Sequence, residues 1–389
     1  MIQTKRVVFF VNHATFFVSH RLHIARLLKN NGFDIFLIFG TNLERNFEES
    51  AKEKLREEDI KFYEASFSPR FYGFFRELIG FFQAATFIKK INPSILHTIS
   101  PKGFIFGGLI ARFFGIKNLI ISISGMGYLF THRDDILISR RKRLLQFFIE
   151  KIYRFILNHN NINLIVQNID DYEYFLQKFS MNQERVHLIQ GSGINFKLYN
   201  LDYGSLLFNK EDIVLFAARL LSTKGVEDFY EVASKLKTAH PKWRFIIAGD
   251  IDINNPDSIS KEQLKSWRTQ SNVEFLGYQE NIHLLFLRSK IHCLPSYREG
   301  FPKTIMEASI CAVPSVTYNS IGCRDAVINN ETGIIVNTGE LSLLEKAIEN
   351  LIVDEAKREN LGRASFMHAK EFFSQEFVSN KHLEIYKSL

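Results

Sequence analysis

Two glutamates lie eight positions apart in a segment whose composition suits a ligand rich in hydroxyl groups. Glu299 and Glu307 belong to the stretch SYREGFPKTIMEA, residues 296–308, which follows an apolar strand candidate at residues 290–295. Pro302 suits the first residue of a helix, because its φ is fixed and its missing N–H is not needed there. Unpaired N–H groups at a helix N-terminus predict an anion site. Two carboxylates beside such a site indicate hydroxyls to be bound, as in a sugar or a ribose.

Two cations follow a second strand candidate, residues 212–217. Arg219 and Lys224 lie between this strand and a helix predicted from Val226, with Gly225 immediately after the lysine. Fixed positive charges at the end of a strand and the start of a helix suit a diphosphate. The alternative interpretation is an unrelated pair of surface charges.

The elements that must position these residues are typical of doubly wound α/β sheets. A strand at residues 6–11, a loop at 12–19, a helix at 20–29 and a strand at 33–39 open the chain. Such an order predicts parallel strands whose ligands bind at their carboxyl ends. Further strands are predicted at 95–97, 118–123, 163–168, 186–189, 243–248, 273–277 and 333–336. A glycine-rich crossing near residues 190–195 predicts two domains, 1–192 and 193–389.

Charge and phenylalanine are distributed unevenly between these halves. Residues 1–192 hold 26 Lys and Arg against 17 Asp and Glu and 26 of the 38 Phe, whereas the remainder carries a net charge of −2. A basic, aromatic half-molecule suits an anionic membrane surface, where each nearby cation contributes about 1 kcal/mol. Nucleic acid is the competing partner, but no nucleic-acid motif occurs and the cations alternate with apolar stripes.

Two segments carry the membrane hypothesis. Residues 67–90 combine aromatic and basic side chains, which fits an interfacial helix or equally a core helix with its cations at the ends. The run Arg140, Arg141, Lys142 and Arg143 precedes an apolar stripe that begins at Leu144. A solvated run of charge is the alternative for this second segment.

Location is predicted from what the sequence lacks. Three cysteines without metal-ligand spacing and the absence of a secretory signal indicate a reducing cytoplasm. The longest apolar run, residues 104–130, contains Arg112, Lys117 and several glycines, so no membrane span is predicted. We therefore expect a cytoplasmic protein at the inner face of the cytoplasmic membrane.

The EGFP…EA context with glutamates at 299 and 307 resembles the retaining glycosyltransferases of family 4. The resemblance covers nearly the whole chain, with its specific motifs at residues 214–336. It implies the GT-B architecture, in which two Rossmann-like domains face a cleft and the final helix, about residues 375–389, packs on the first domain. It also implies that Glu299, Arg219 and Lys224 are catalytic. The donor-binding residues implied are Glu307, Gly300, Phe301, Pro302, Lys303, Tyr278 and Gly249.

Residues of the first half resemble the branch of this family that builds capsule, lipopolysaccharide and glycan chains. The matching positions include His97, Lys102 and the glycines at 107 and 108. Many family members have a histidine near the donor sugar where this chain has Ser124. The candidate acceptor-binding residues are His97, Lys102, Ser124, Arg140, Arg141, Lys142 and Arg143. His13 is either a polar loop residue or a contact to the donor.

The predicted function is transfer of a hexose or N-acetylhexosamine from a nucleotide sugar, expected to be UDP-linked, with retention of configuration. The expected acceptor is a growing glycan on a polyprenyl diphosphate lipid, and no metal or other cofactor is expected. Two rivals remain open on the sequence: a nucleotide-sugar 2-epimerase, and a non-catalytic nucleotide-binding protein at the membrane surface. Ala312, where the family usually has glycine, and Ser124 leave room for the second rival.

Overall fold

A computed structural model describes residues 5–41, 45–67, 73–125, 140–199, 203–207, 210–253, 255–270 and 272–389. The chain forms two compact units. The described residues up to Ser192, together with Val378–Leu389, make the first unit. Gly193–Phe377 make the second.

The first unit is built on a seven-stranded parallel sheet in the order β3-β2-β1-β4-β5-β6-β7. Its five inner strands are almost entirely buried, as expected for a parallel sheet covered by helices on both faces. The strands are β1 (Arg6–Val11), β2 (Asp34–Gly40), β3 (Lys61–Ala65), β4 (Ile95–Ile99), β5 (Asn118–Ile123), β6 (Ile162–Val166) and β7 (Val186–Leu188).

Helices cover the two faces of this sheet. They are α1 (Ala14–His20), α2 (Leu22–Asn30), α3 (Arg45–Glu57), α4 (Phe74–Ile91), α5 (Ser100–Phe114), α6 (Arg140–Leu157) and α7 (Ile169–Phe179). The loop predicted at residues 12–19 is wrong, because α1 begins at Ala14. The side chain of His13 accepts the Phe16 N–H and caps this helix. In the described part of the chain, no helix is both long enough and apolar enough to cross a bilayer.

The second unit contains a six-stranded parallel sheet in the order β10-β9-β8-β11-β12-β13. Its strands are β8 (Ile213–Ala217), β9 (Arg244–Ala248), β10 (Glu274–Gly277), β11 (Ile291–Leu294), β12 (Ser315–Tyr318) and β13 (Gly333–Val336). Its helices are α8 (Tyr203–Leu207), α9 (Val226–Ala239), α10 (Lys261–Gln270), α11 (Ile282–Arg288), α12 (Lys303–Ile310), α13 (Leu341–Val353) and α14 (Glu355–Phe372).

Each sheet reverses its strand order once. The reversal lies between β1 and β4 in the first sheet and between β8 and β11 in the second. Loops that leave neighbouring strands at a reversal diverge to opposite faces and open a crevice beyond the carboxyl ends. The second reversal is followed in sequence by Arg219 and Lys224 on one side and by Glu299 on the other.

The last helix, α15 (Gln375–Lys387), packs in the core of the first unit. Val378, Leu383 and Tyr386 join the buried cluster on one face of the first sheet, which also includes Phe9. The chain therefore leaves the first unit after Ser192 and returns to it at Val378.

A buried polar layer joins this helix to the sheet. The Nδ1 atom of His97 is hydrogen-bonded to the Tyr386 hydroxyl (2.5 Å), and its Nε2 atom to the Ser122 hydroxyl (2.6 Å). Both His97 and His382 are almost fully buried, and Arg21 lies near them. His97 is thus a core residue whose two ring nitrogens both have protein partners, an arrangement that does not fit the predicted contact to an acceptor.

This layer predicts acid sensitivity of the fold. Burial, and then the charge of Arg21, hold the pKa values of His97 and His382 well below 6.5. In the unfolded chain these histidines take up protons below about pH 6.5, whereas in the folded protein they remain neutral. The free energy of unfolding therefore decreases as the pH is lowered, by up to about 1.4 kcal/mol per pH unit for each histidine. The groups that act on His382 are Arg21, His23, His97 and His187.

We expect the melting temperature of the protein to fall between about pH 7.5 and about pH 5. The double variant His97→Gln/His382→Gln cannot titrate at these positions and should lose less of its melting temperature over the same range. An equal loss in both proteins would contradict this account of the polar layer.

Candidate active site

Lys224 lies in a single turn that links β8 to α9. The turn, Ser222–Lys224, ends at Gly225, whose φ is +70°, and α9 begins at the next residue. A Cβ atom at Gly225 would overlap the carbonyl oxygen of Pro295, so only glycine fits there. The turn therefore packs directly against the segment that follows β11.

The segment between β11 and α12 carries Glu299. Its backbone is held on two sides, because the Tyr297 N–H donates to the Thr223 carbonyl (3.0 Å) and the Glu299 N–H donates to the Ile321 carbonyl (2.9 Å). Gly322 has a φ of +78°, and a Cβ there would lie 2.5 Å from the Glu299 carbonyl oxygen. These contacts fix the position of the Glu299 loop relative to the Lys224 turn.

Lys224 and Glu299 form an ion pair across the reversal of the second sheet. The Lys224 Nζ atom lies 2.5 Å from Glu299 Oε1, and the two side chains are 19% and 14% exposed. The two strands that lead to them are direct neighbours, with Ile291 paired to Val214. The structure thus brings a predicted catalytic cation and carboxylate together where a doubly wound sheet binds ligands.

Arg219 follows the same strand as Lys224 but has a different partner. Its Nη1 atom lies 3.0 Å from Oδ2 of Asp252, and its side chain is 60% exposed while that of Asp252 is 16% exposed. The guanidinium therefore lies at the solvent side of the strand ends, where a charged ligand can reach it.

Glu307 lies inside α12 and is almost entirely buried. Lys303, one turn earlier, places its Nζ atom 3.4 Å from Glu307 Oε1. Burial raises the pKa of the Glu307 carboxyl, and the neighbouring lysine only partly offsets this. Hydrogen bonds from hydroxyl groups of a ligand would stabilise the charged carboxylate further, and the predicted contact with the ribose would supply them.

The residues before α12 divide into backbone and side-chain roles. Pro302 is the N-cap residue of α12 and not its first helical residue as predicted, because the helix begins at Lys303. Its ring provides no capping oxygen. The Phe301 side chain is 6% exposed and packs edge-on against Phe373. The side chain of Phe301 is therefore part of the core, and only its backbone and that of Gly300 could contact a donor.

Gly249 and Tyr278 lie at the same edge of the second sheet as Lys224 and Glu299. Gly249 follows β9, and a Cβ there would overlap the carbonyl oxygen of Ala218. Its N–H donates to the Gly277 carbonyl (2.8 Å), which ties it to the residue before Tyr278. The Tyr278 side chain is 63% exposed.

The candidates of the first unit have different surroundings. Lys102 is largely buried in an ion pair with Glu77 (3.0 Å), and burial lowers the pKa of its ammonium group. His13 caps α1, and Ser124 is half-buried after β5. Arg143 is exposed on α6. The side chains of Arg140, Arg141 and Lys142 lie outside what the structure describes.

Sequence reasoning missed the residues that support the site. Asp228 accepts hydrogen bonds from the hydroxyls of Tyr297 (2.7 Å) and Tyr318 (2.8 Å). These partners are 69 and 90 residues away along the chain, so no local pattern could have indicated them. Asp252, the partner of Arg219, was missed for the same reason.

Metal chemistry has no visible support in the described ranges. Within them, no group of three or more His, Cys, Asp or Glu side chains is placed to hold a metal ion. The three cysteines are buried and unbonded to one another. The absence of a metal requirement stays a prediction.

Two family models match the chain, one on each unit. The model described as "Glycosyl transferase 4-like" matches residues 6–168, and "Glycosyl transferases group 1" matches residues 203–367. The chain is a glycosyltransferase with a 4-like and a group 1 domain. The Lys224–Glu299 pair lies within the second of these matches.

Curated relatives of this glycosyltransferase include two from Campylobacter jejuni. An N,N'-diacetylbacillosaminyl-diphospho-undecaprenol alpha-1,3-N-acetylgalactosaminyltransferase is 28% identical over 390 residues, 97% of this chain and 97% of that protein. An alpha-1,4-N-acetyl-D-galactosaminyltransferase acting on a GalNAc-containing diphospho-undecaprenol glycan is 30% identical over 42% of this chain and 45% of its own length. The 2-epimerase alternative has no support from these comparisons.

Solved structures confirm the fold of the glycosyltransferase. The Anabaena HepE protein in complex with UDP-glucose superposes with a TM-score of 0.76, at 16% identity, over 98% of this chain and 100% of that one. A sucrose-phosphate synthase from Thermosynechococcus elongatus matches with a TM-score of 0.75, also at 16% identity, over 99% of each chain. The predicted GT-B architecture is confirmed.

Proposed function

We propose that this glycosyltransferase moves an N-acetylhexosamine or hexose from a UDP sugar to a glycan carried on a polyprenyl diphosphate lipid, with retention of configuration. The observation that carries the proposal is the Lys224–Glu299 ion pair at the strand reversal of the second sheet. The acceptor class is supported by the Campylobacter relative that matches along almost the whole chain, because its name specifies an undecaprenol-diphosphate substrate.

The chemical difficulty is the departure of a nucleoside diphosphate, which requires positive charge where negative charge develops. Lys224 and Arg219 supply this charge from the end of one strand, and the N-terminus of α12 adds backbone N–H groups. Before the donor binds, Lys224 is neutralised by Glu299. A diphosphate competes for the lysine and releases the carboxylate to accept hydrogen bonds from hydroxyls of the donor sugar.

The remaining donor contacts are assigned to the same edge of the sheet. Glu307 accepts hydrogen bonds from the ribose hydroxyls, and the backbone near Tyr278 contacts the base. A bond forms between the anomeric carbon and the acceptor hydroxyl oxygen as the bond to the diphosphate breaks, and the hydroxyl proton passes to the departing diphosphate oxygen. Orientation of the two substrates is the main contribution of the protein, and in well-oriented systems it lowers a barrier by roughly 7–11 kcal/mol.

A two-step assay tests this function. Thermal shift with UDP, GDP, ADP and their sugar conjugates identifies the donor, since a ligand at about 100 times its Kd adds about 2.7 kcal/mol of stability. The donor so identified is then incubated with a short-chain polyprenyl-diphosphate glycan, and glycan extension is measured by mass spectrometry. Donor binding without extension of any lipid-linked glycan would contradict the acceptor class, and no shift with any nucleotide would contradict the function itself.

We further propose that the first unit lies against an anionic membrane surface. Helices α4, α5 and α6 pack side by side on one face of the first sheet. Their inner sides belong to the core, whereas their outer sides expose large apolar residues, which we call the aromatic face. Its members are Phe75, Ile79, Phe82, Phe113, Leu144, Phe147 and Phe148, each at least 52% exposed.

Cations accompany the aromatic face. Lys151 lies over the ring of Phe147 (5.2 Å), and Arg112 lies over that of Phe155 (4.8 Å). Apolar side chains flanked by cations suit insertion to the depth of the headgroups of anionic lipids. The two sequence alternatives for α4 are both partly true, because Ala84 and Ile88 are in the core while Phe75 and Phe82 are exposed. Residues 68–72, including Arg70, lie outside the described residues.

Vesicle binding tests this surface. We expect the protein to co-sediment with phosphatidylglycerol vesicles at low salt and to bind phosphatidylcholine vesicles weakly. The variant Phe147→Ser/Phe148→Ser should lose most of this binding. Val353→Ser, which removes an apolar side chain of the second unit that is even more exposed (66%), is the control and should bind as wild type. Equal binding by both variants would contradict the aromatic face as the contact.

A further inference from the structure

One carboxylate oxygen connects three elements of the second unit. Asp228 lies in the first turn of α9 and is 7% exposed. Its Oδ2 atom accepts hydrogen bonds from the hydroxyls of both Tyr297 (2.7 Å) and Tyr318 (2.8 Å). Tyr297 belongs to the Glu299 loop, and Tyr318 ends β12. The Asp228 carboxylate therefore links the helix after Lys224 to the loop that carries Glu299.

Tyr297 is held through both its backbone and its side chain. Its backbone N–H donates to the Thr223 carbonyl, and its hydroxyl donates to Asp228. Thr223 directly precedes Lys224, and Tyr297 lies two residues before Glu299. The two hydrogen bonds attach the Glu299 loop to residues 223–228, the segment on which Lys224 itself lies.

Tyr318 supports this arrangement from the sheet. It is fully buried, and its ring meets that of Tyr297 edge-on at 5.5 Å. Burial, and then the negative charge of Asp228, raise the pKa of the Tyr318 hydroxyl. The phenol therefore stays protonated and remains a donor to the carboxylate at neutral pH.

We propose that Asp228 is a positioning residue for the transfer reaction, acting through Tyr297 to set the separation of Lys224 and Glu299. The inference rests on the proposed function, since it needs Glu299 and Lys224 to act on the donor. Asp228 does not itself contact the substrate in this account. Its effect is geometric, because small misplacements of groups that orient a reacting centre reduce the rate sharply.

Tyr297→Phe tests the proposal with little disturbance of packing, since it removes only the hydroxyl. We expect kcat to fall about 10-fold while the KM for the donor changes less than about threefold, the signature of an interaction made mainly in the transition state. Asp228→Asn should have an effect in the same direction. If Asp228→Asn does not fold, Tyr297→Phe still decides the question.

Two further variants separate positioning from a general loss of stability. Tyr174→Phe removes a similar bond between a phenol and a carboxylate, Tyr174 to Glu150 (3.2 Å), in the first unit and should leave kcat unchanged. In a Glu299→Gln background, Tyr297→Phe should cause little additional loss of kcat, because the group it positions is already absent. A purely structural role would instead give additive losses.

The outcomes are distinguishable from those of the proposed function. An active wild-type enzyme with an equally active Tyr297→Phe variant overturns the positioning role alone. Additive losses in the double variant also overturn it. A wild-type protein that transfers no sugar to any acceptor overturns the proposed function and this inference with it.

Discussion

Glu299→Gln should reduce kcat by about 10²–10³-fold, the range seen when one preorganised group aimed at the reacting centre is removed. The amide keeps the size of the side chain but loses the charge that accepts donor hydroxyls and balances Lys224. Affinity for UDP should be retained or improve, because the ammonium group of Lys224 is no longer neutralised at 2.5 Å. Steady-state kinetics and calorimetric titration with UDP measure the two effects separately.

The matched control for this change is Glu231→Gln. Glu231 pairs with Lys235 (3.0 Å) in the same unit, but both side chains are about half exposed, and such pairs contribute little. This variant should retain wild-type kcat and UDP affinity. A Glu299→Gln enzyme with wild-type turnover would remove Glu299 from the catalytic site.

Lys224→Met should weaken both UDP binding and turnover, which distinguishes it from the change at Glu299. A hydrogen bond to a charged group is worth about 1.5–3 kcal/mol, so we expect UDP affinity to fall roughly 10- to 100-fold. The loss of kcat should be larger than this, because negative charge on the diphosphate grows as the sugar departs. Glu299 also loses its partner and remains as a partly buried carboxylate that repels the diphosphate.

Arg219→Ala should weaken the same two properties by a smaller factor, because the guanidinium is 60% exposed and already paired with Asp252. Lys235→Met, which removes an exposed lysine from α9, is the control and should leave both unchanged. UDP affinity that is unchanged in Lys224→Met would place the diphosphate elsewhere.

The opposite directions expected for UDP binding provide an internal test. Removal of the negative member of the Lys224–Glu299 pair should maintain or strengthen nucleotide binding, and removal of the positive member should weaken it. The two substituted side chains are joined by a single hydrogen bond. The two variants therefore separate ground-state binding from catalysis at one place in the molecule. A general disturbance of the loop would move both variants in the same direction.

Much of the fold could be predicted from the sequence because its signals are local. The buried strands are continuous apolar runs, and β1, β5 and β13 agree with the predicted bounds. Strand β3 was not predicted, since its residues at the edge of the sheet are more exposed and alternate less clearly. Helix α1 was missed because its cap is a histidine rather than one of the usual N-cap residues.

The sequence by itself determined the chemistry that this protein can perform: the order of strands and helices, the glutamates eight positions apart and the cations after β8 are all written within short segments. Only the tertiary structure decided which of these groups meet. Lys224 and Glu299 are 75 residues apart and become partners because their strands are neighbours at a reversal of strand order. His97 lies in a buried polar layer because its ring is hydrogen-bonded to Tyr386, 289 residues further along the chain. Contacts at such separations depend on how the sheets are assembled, and no local pattern of residue types encodes them.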